Sequence, residues 1–293
     1  MPNLRHLLKF AYANAVSSAL ALISSIFWGS ADFIAGNLSK RYKAIAVTGA
    51  SQVFGLITGL VIASLGRSFF APSWHWSNYL LSGMIAGLSG FVGLVCYYSG
   101  LATGRMGVVS PISSLSAVIP VIYAFTKGER PATIQIIGIT IALLGAFCAS
   151  GPEIAKGLPI KPLLYGAGAA LGFGVALVFM AKGSASSSIM TMLTMRVTTV
   201  SVCALLALRF KTVGGFSGNS LALLTLIGVL DFLANYFLGV ATTKGLISIA
   251  MVLGALFPVV TLLLAYKFLH ERLHRVQYFG VAAAVAGVIL ISL

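Results

Sequence analysis

Three ionisable residues fall within long apolar runs of this chain, where a charge is expensive: Arg196 and Asp231 well inside, and Asp32 nearer its helix end. In hydrocarbon such groups face a cavity or a partner, and they mark substrate, ion or proton sites. Asp231, within GVLDFLANYFLG, is the sharpest candidate, with Gly228, Asn235 and Gly239 on the same helical face. Two readings of it stay open. It forms a fixed ion pair with Arg196, itself in need of a partner, or it binds substrate or a proton; a switchable pair would do both. On the proton reading, Asp231→Asn abolishes coupling to pH and leaves downhill exchange. Ser24, Trp28, Asp32 and Gly36 follow one another at steps of four, so an aromatic ring, a carboxylate and small residues share a face. Asp32 either pairs with Lys40, Arg41 and Lys43 beyond its helix or lines a cavity beside Trp28. Trp28 and Tyr98 offer flat surface to a planar solute or a cation, unless they are packing or interfacial rings.

One motif points to a different chemistry. His270-Glu271-Arg272-Leu273-His274 fits HExxH, the spacing that sets two imidazoles on one helical face for zinc beside a glutamate base, as in a membrane-embedded metalloprotease. Its internal copy, Gly128-Glu129-Arg130-Pro131-Ala132, has no histidine at either place, and the match falls between apolar runs rather than within one. Zinc is therefore the alternative reading, and no metal or cofactor is expected. No Ser-His-Asp or Cys-His set with a plausible meeting point is visible, and no glycine-rich phosphate loop. With five acidic residues in 293 there is no nucleotide-hydrolysing machinery, so movement of a solute would be passive, exchanging or coupled to an ion gradient.

The elements that must position these residues are membrane helices. Hydrophobic residues make up 59% of the chain and charged ones 8%, with a mean hydropathy of +1.02; a soluble globule has about a quarter charged. Apolar runs predict spans at 15–37, 44–65, 77–101, 107–126, 132–150, 161–181, 188–209, 219–241, 247–267 and 276–293, each long enough for about 30 Å of hydrocarbon. Lacking the alternation of a barrel, they read as helices. The chain is written twice. ERPATIQIIGITIALLGAFCAS from Glu129 to Ser150 returns 142 residues later as ERLHRVQYFGVAAAVAGVILIS, keeping the glutamine, both glycines and an alanine in register. Those small residues form one stripe, where another helix can come close. Two five-helix units follow, 1–150 and 151–293. Five is odd, so the second enters the membrane from the opposite side, the inverted-repeat plan with a site between the halves. The serine-rich fourth helix carries Pro111 and Pro120, and the ninth Pro258; each proline frees a carbonyl, so kinks or breaks are expected, and these helices are candidate gates. Ser113 is a candidate hydroxyl for the site. In the second unit Phe173-Gly174 stands where the first has Trp28-Gly29, and Leu177 where it has Asp32.

The net charge of +14 comes from scattered loop residues facing anionic head groups, not from a cluster of nucleic-acid type. The basic N-terminus mimics a signal peptide, but the helix behind it belongs to the duplicated unit and is read as retained. With the N-terminus inside the cell, seven of the nineteen lysines and arginines face the cytoplasm, eleven face outward and Arg196 is in a helix. That count favours the opposite orientation.

The residues resemble those of the drug/metabolite transporter superfamily, in particular its EamA-type ten-helix permeases. The resemblance rests on Trp28-Gly29-Ser30-Ala31-Asp32-Phe33, on the run from Gly104 to Ser114 (GRMGVVSPISS) and on Gly128-Glu129-Arg130-Pro131. In the second unit it rests on Arg196, Gly228-x-x-Asp231-x-x-Ala234-Asn235, Pro258 and Glu271-Arg272. It implies an all-α integral membrane protein of ten transmembrane helices in two inverted repeats, with a central cavity, alternating access and cytoplasmic termini. It also implies movement, commonly export, of small organic solutes such as amino acids or metabolites. The sequence departs from the pattern at His270, where the first unit has Gly128, and at Gln52, where many relatives carry arginine. The expectation is a multi-pass permease of an inner or plasma membrane, not an enzyme, monomer or homodimer, with no nucleic-acid partner. Its cavity would be lined by helices one, three, four and eight. Trp28, Asp32, Tyr98, Ser113 and Asn235 would bind the solute, and Asp231 with Arg196 would form the coupling pair.

Overall fold

Every regular element among the described residues is helical. The structure, a computed structural model, describes residues 4–69, 71, 73–75, 78–103, 106–151, 160–211, 214–270 and 272–293. Its helices are α1 (Leu4–Leu38), α2 (Ala44–Leu65), α3 (Tyr79–Ala102), α4 (Met106–Ser114), α5 (Val118–Thr126), α6 (Thr133–Ala149), α7 (Ile160–Phe210), α8 (Gly218–Lys244), α9 (Ile247–Gly254), α10 (Phe257–Leu269) and α11 (Arg275–Ser292). A 3₁₀ turn, Leu115–Ala117, joins α4 to α5.

These elements are compatible with ten crossings. As one straight rod, the 51 residues of α7 would be about 76 Å long, over twice the hydrocarbon thickness. Ser187 breaks the rod with extended backbone (φ −163°, ψ 118°), and Gly183 before the break lies against Thr191 after it. The two legs therefore fold back on each other. The remaining boundaries lie close to those expected, except that α1 begins at Leu4.

The fourth and ninth predicted crossings, which carry Pro111, Pro120 and Pro258, are each interrupted partway along. Proline at 120 cannot donate to the carbonyl of Ser116, and the 3₁₀ turn sits at that point. Nearby hydroxyls satisfy carbonyls of their own turn: Ser113 donates to Ser110 O (2.9 Å) and Ser114 to Pro111 O (2.7 Å). In the ninth crossing α9 stops at Gly254, and α10 restarts with Pro258 in its first turn, where a missing N–H costs nothing.

The repeated stripe packs against its own copy. Helices α6 and α11 run antiparallel, the start of each beside the end of the other. A Cβ on Gly138 would meet Ile291 and Gly287, one on Gly145 the backbone of Ala284, one on Gly280 the backbone of Ala149, and one on Gly287 that of Ala142. At each end a repeated glutamine does the same two jobs. Gln135 accepts from Ala132 N (3.1 Å) and donates to Ile291 O (3.4 Å), while Gln277 accepts from His274 N (2.9 Å) and donates to Ala149 O (3.5 Å). With backbones this close, a single methyl group forces them apart. Gly145→Ala and Gly280→Ala are each expected to destabilise the detergent-solubilised protein by ~1–3 kcal/mol. Gly218→Ala, at an exposed helix start where a Cβ meets open space, is the control and should leave the melting temperature unchanged or higher. Equal melts for all three would refute the close seam.

Candidate functional site

A cavity of about 80 Å³ lies between the halves. Trp28 and Asp32 reach it from α1, Gln52 from α2, Gly87, Gly90 and Phe91 from α3, Ser116 from the 3₁₀ turn and Asp231 and Asn235 from α8. Both legs of α7 contribute, Phe173, Leu177 and Met180 from the first, Arg196 and Thr199 from the second, and Ala255 and Phe257 come from the break in the ninth crossing. The wall thus takes in α2, α7 and α10 besides the four helices expected. The counterpart positions face the same space: Trp28 with Phe173, Asp32 with Leu177. One half offers a carboxylate where the other offers a methyl-rich side chain.

The two carboxylates are in opposite situations. Asp231 is held by a full set of donors. Trp28 Nε1 donates to Oδ1 at 3.1 Å, Asn235 Nδ2 to Oδ1 at 3.1 Å and Gln52 Nε2 to Oδ2 at 2.9 Å. The Arg196 guanidinium lies 2.9 Å from Oδ2. Arg196 is fixed in turn, donating to Gln52 Oε1 (2.7 Å) and to the Asp231 carbonyl (3.3 Å), over the face of Phe232. Gly55 lets α2 come this near, since a Cβ there would crowd the guanidinium and the Gly228 carbonyl. With Arg196 4% exposed and Asp231 7%, this is a buried pair with its hydrogen bonds largely met, the condition under which such a pair persists.

Asp32 has far less. Its one hydrogen bond among the described residues comes from the Tyr98 hydroxyl, at 3.4 Å. The lysines and arginine beyond its helix form no ion pair with it; Lys40 reaches Asn37 Oδ1 at 3.5 Å instead. Aromatic rings surround the site. Trp28 lies edge-on to Phe257 (centroids 6.3 Å apart), and Tyr97 meets Phe257 (6.4 Å), Phe173 (5.8 Å) and Tyr98 (5.8 Å).

Of the residues singled out from sequence, Trp28, Asp32, Arg196, Asp231 and Asn235 line the cavity, and Tyr98 stands behind Asp32. Ser113 is buried with its hydroxyl turned to Ser110 O, and Ser116 is the serine on the wall. Pro111, Pro120 and Pro258 lie off the wall but flank the breaks that bring Ser116 and Phe257 to it. Gln52, noted in the sequence only as a departure, is the hinge of the network, and nothing in its own neighbourhood announces a partner 179 residues away.

The histidine motif does not share a helical face. His270 is the left-handed residue ending α10 (φ 54°), whereas His274 caps the start of α11. Glu271 lies outside the described residues, as do Gly104 and Arg105 of the resemblance.

Glu129 ties the first half to the second. From the loop between α5 and α6 it reaches into the second half and caps α9, accepting from Ile247 N (2.6 Å), Ser248 N (3.0 Å) and Ser248 Oγ (2.7 Å). Its neighbour Arg130 donates to the carbonyls of Phe125 and Glu129 rather than to a carboxylate. A carboxylate on a helix start satisfies two orphan donors and meets the positive end of the dipole. Glu129→Ala should lower stability by ~1–3 kcal/mol and speed hydrogen exchange at Ile247 and Ser248; unchanged protection there would refute the cap.

Two antiparallel halves of apolar helices around a small polar centre define a multi-pass integral membrane transporter. A model of the EamA-like transporter family matches residues 16–151 and again 160–293, and the chain belongs to that family, within the drug/metabolite transporter superfamily. Among solved structures 28 chains match. One, described only as the crystal structure of a protein, is 17% identical with a TM-score of 0.77, over 95% of this chain and 97% of that chain, a likeness that shows the fold alone. Comparison with curated proteins gives no match.

Proposed function

We propose that the protein moves a small organic solute carrying a protonated amine by alternating access, in exchange for protons, with Asp32 as the group that takes either cation. The observation that carries this reading is the inequality of the two carboxylates. Asp231 already has a guanidinium and three side-chain donors, whereas Asp32 has one long hydrogen bond at the cavity wall. A carboxylate so placed calls for a cation, and an ammonium or a proton meets that need one at a time. Trp28, Phe173 and Phe257 would hold the body of the solute and favour a cation over their faces. Asp231 and Arg196 would keep α8, α2 and the second leg of α7 in register around the site. At about 80 Å³ the present cavity is well below the ~300–1,000 Å³ typical of ligand sites, so an organic solute requires the halves to part, with the breaks at Leu115–Ala117 and at Ala255 as the bending points. Export is the favoured direction.

The test is thermal stability of the purified protein against amines, amino acids, sugars and organic anions. A ligand at a hundred times its dissociation constant stabilises by about 2.7 kcal/mol. A shift with amines that weakens as the pH falls supports competition with protons. A shift confined to sugars or anions would sink the reading.

A further inference from the structure

A second, larger space lies away from the central site. Between α2 and the second leg of α7 runs a groove of about 480 Å³, within the ~300–1,000 Å³ typical of ligand sites. Its floor is made of small residues, Gly49, Ala50 and Ala207 among them, and its mouth carries Arg41 and Lys43. From Ile45 to Val53 on α2 and from Val200 to Phe210 on α7 it extends about 12–15 Å, at 1.5 Å per residue. That is the depth of one leaflet, half of roughly 30 Å of hydrocarbon.

We propose that this groove binds an anionic phospholipid of the surrounding bilayer, with an acyl chain between the helices and the headgroup phosphate on Arg41 and Lys43. Charge complementarity argues for this occupant. Arg41 and Lys43 are exposed, neither is in an ion pair among the described residues, and none of the described lining residues is acidic. Arg209 and Lys211, also exposed, flank Phe210 at the same end. A cationic rim over an apolar slot one leaflet deep suits a molecule with a phosphate above a hydrocarbon chain. A soluble anion would leave the slot unfilled, and a zwitterionic lipid would bring its own cation to the rim. The loops between α1 and α2 and between α7 and α8 also lie on the side that carries eleven of the nineteen basic residues, the side that the positive-inside rule assigns to the anionic leaflet.

The experiment is lipid binding by native mass spectrometry on the detergent-purified full chain. The probes are phosphatidylglycerol, phosphatidylcholine of the same chains, and glycerol 3-phosphate as the headgroup alone. Phosphatidylglycerol is expected to bind at least about tenfold more tightly than phosphatidylcholine, and glycerol 3-phosphate to bind no more tightly than phosphatidylcholine. The preference should fall at least about tenfold in Arg41→Gln/Lys43→Gln. It should fall as far in Ala207→Trp, which fills the slot and keeps the charges, with melting temperatures in neutral detergent confirming that both variants are folded. Equal binding of the two lipids would overturn the proposal. So would a preference that survives Ala207→Trp, which would place the lipid on the charged surface alone, or glycerol 3-phosphate binding as tightly as the lipid.

Discussion

Proteoliposomes carrying Asp32→Asn are expected to exchange an amine solute downhill and to lose its accumulation under an opposing proton gradient. One pH unit is worth about 1.4 kcal/mol, so one-for-one exchange sustains about a tenfold solute ratio in the unaltered protein. In the variant the ratio should fall to about one, because an amide binds neither a proton nor an ammonium with a full charge. Its affinity for the amine should also drop, by ~10–100-fold, the worth of a hydrogen bond to a charged group at ~1.5–3 kcal/mol. Asp231→Asn should keep the pH dependence while lowering stability, since it removes the counter-charge of a buried guanidinium and no exchangeable site. Retained tenfold accumulation in Asp32→Asn, or its loss in Asp231→Asn alone, would return the coupling role to Asp231.

Arg196→Met is expected to be the most destabilising single change at the centre, at ~3–5 kcal/mol, because Asp231 is left charged without its partner in a buried site. Asp231→Leu should cost a similar amount for the mirror-image reason. The double variant should cost less than either, since removing both charges removes the desolvation penalty with them. The coupling is read from melting curves of the four proteins; additivity to within ~0.5 kcal/mol would mean that the pair does not interact. Gln52 bridges the two, accepting from Arg196 and donating to Asp231, so Gln52→Ala belongs in the same cycle.

Much of this architecture is local in origin and therefore readable in one dimension. Apolar run length set the crossings, proline chemistry the breaks, and the repeated small residues a stripe built for close approach. What the stripe would meet was open; it is the other copy of itself. Long-range partners were the part that could not be read. Asp231 and Arg196 each declared a need by being charged in hydrocarbon, so their pairing was one of two readings. Gln52 and Glu129 declared none, and their partners lie in the opposite half. Among the serines of the fourth crossing, Ser113 lies inside α4 with its hydroxyl spent on Ser110 O while Ser116, in the 3₁₀ turn, lines the cavity, a choice that the run of four serines does not itself make. Phe257 carried no signal of its own in an apolar run, and Leu177 was marked only as the counterpart of Asp32; both line the cavity.

The self-paired seam of α6 and α11 sets a limit on what can drive the cycle. If alternating access amounts to the two halves trading shapes, the trade maps this seam onto itself: Gly138 against Ile291 changes places with Gly280 against Ala149, and Gly145 against Ala284 with Gly287 against Ala142. Its energy is then the same before and after, so it works as a fixed axle with no preferred setting. Any resting bias toward one side of the membrane must come from positions where the copies disagree. Asp32 against Leu177 is one. Ser248, which gives Glu129 a third hydrogen bond, is a second, for Met106, 142 residues earlier in the first half, has no hydroxyl to give. Making such positions alike, rather than altering the axle, is how the set-point would be moved.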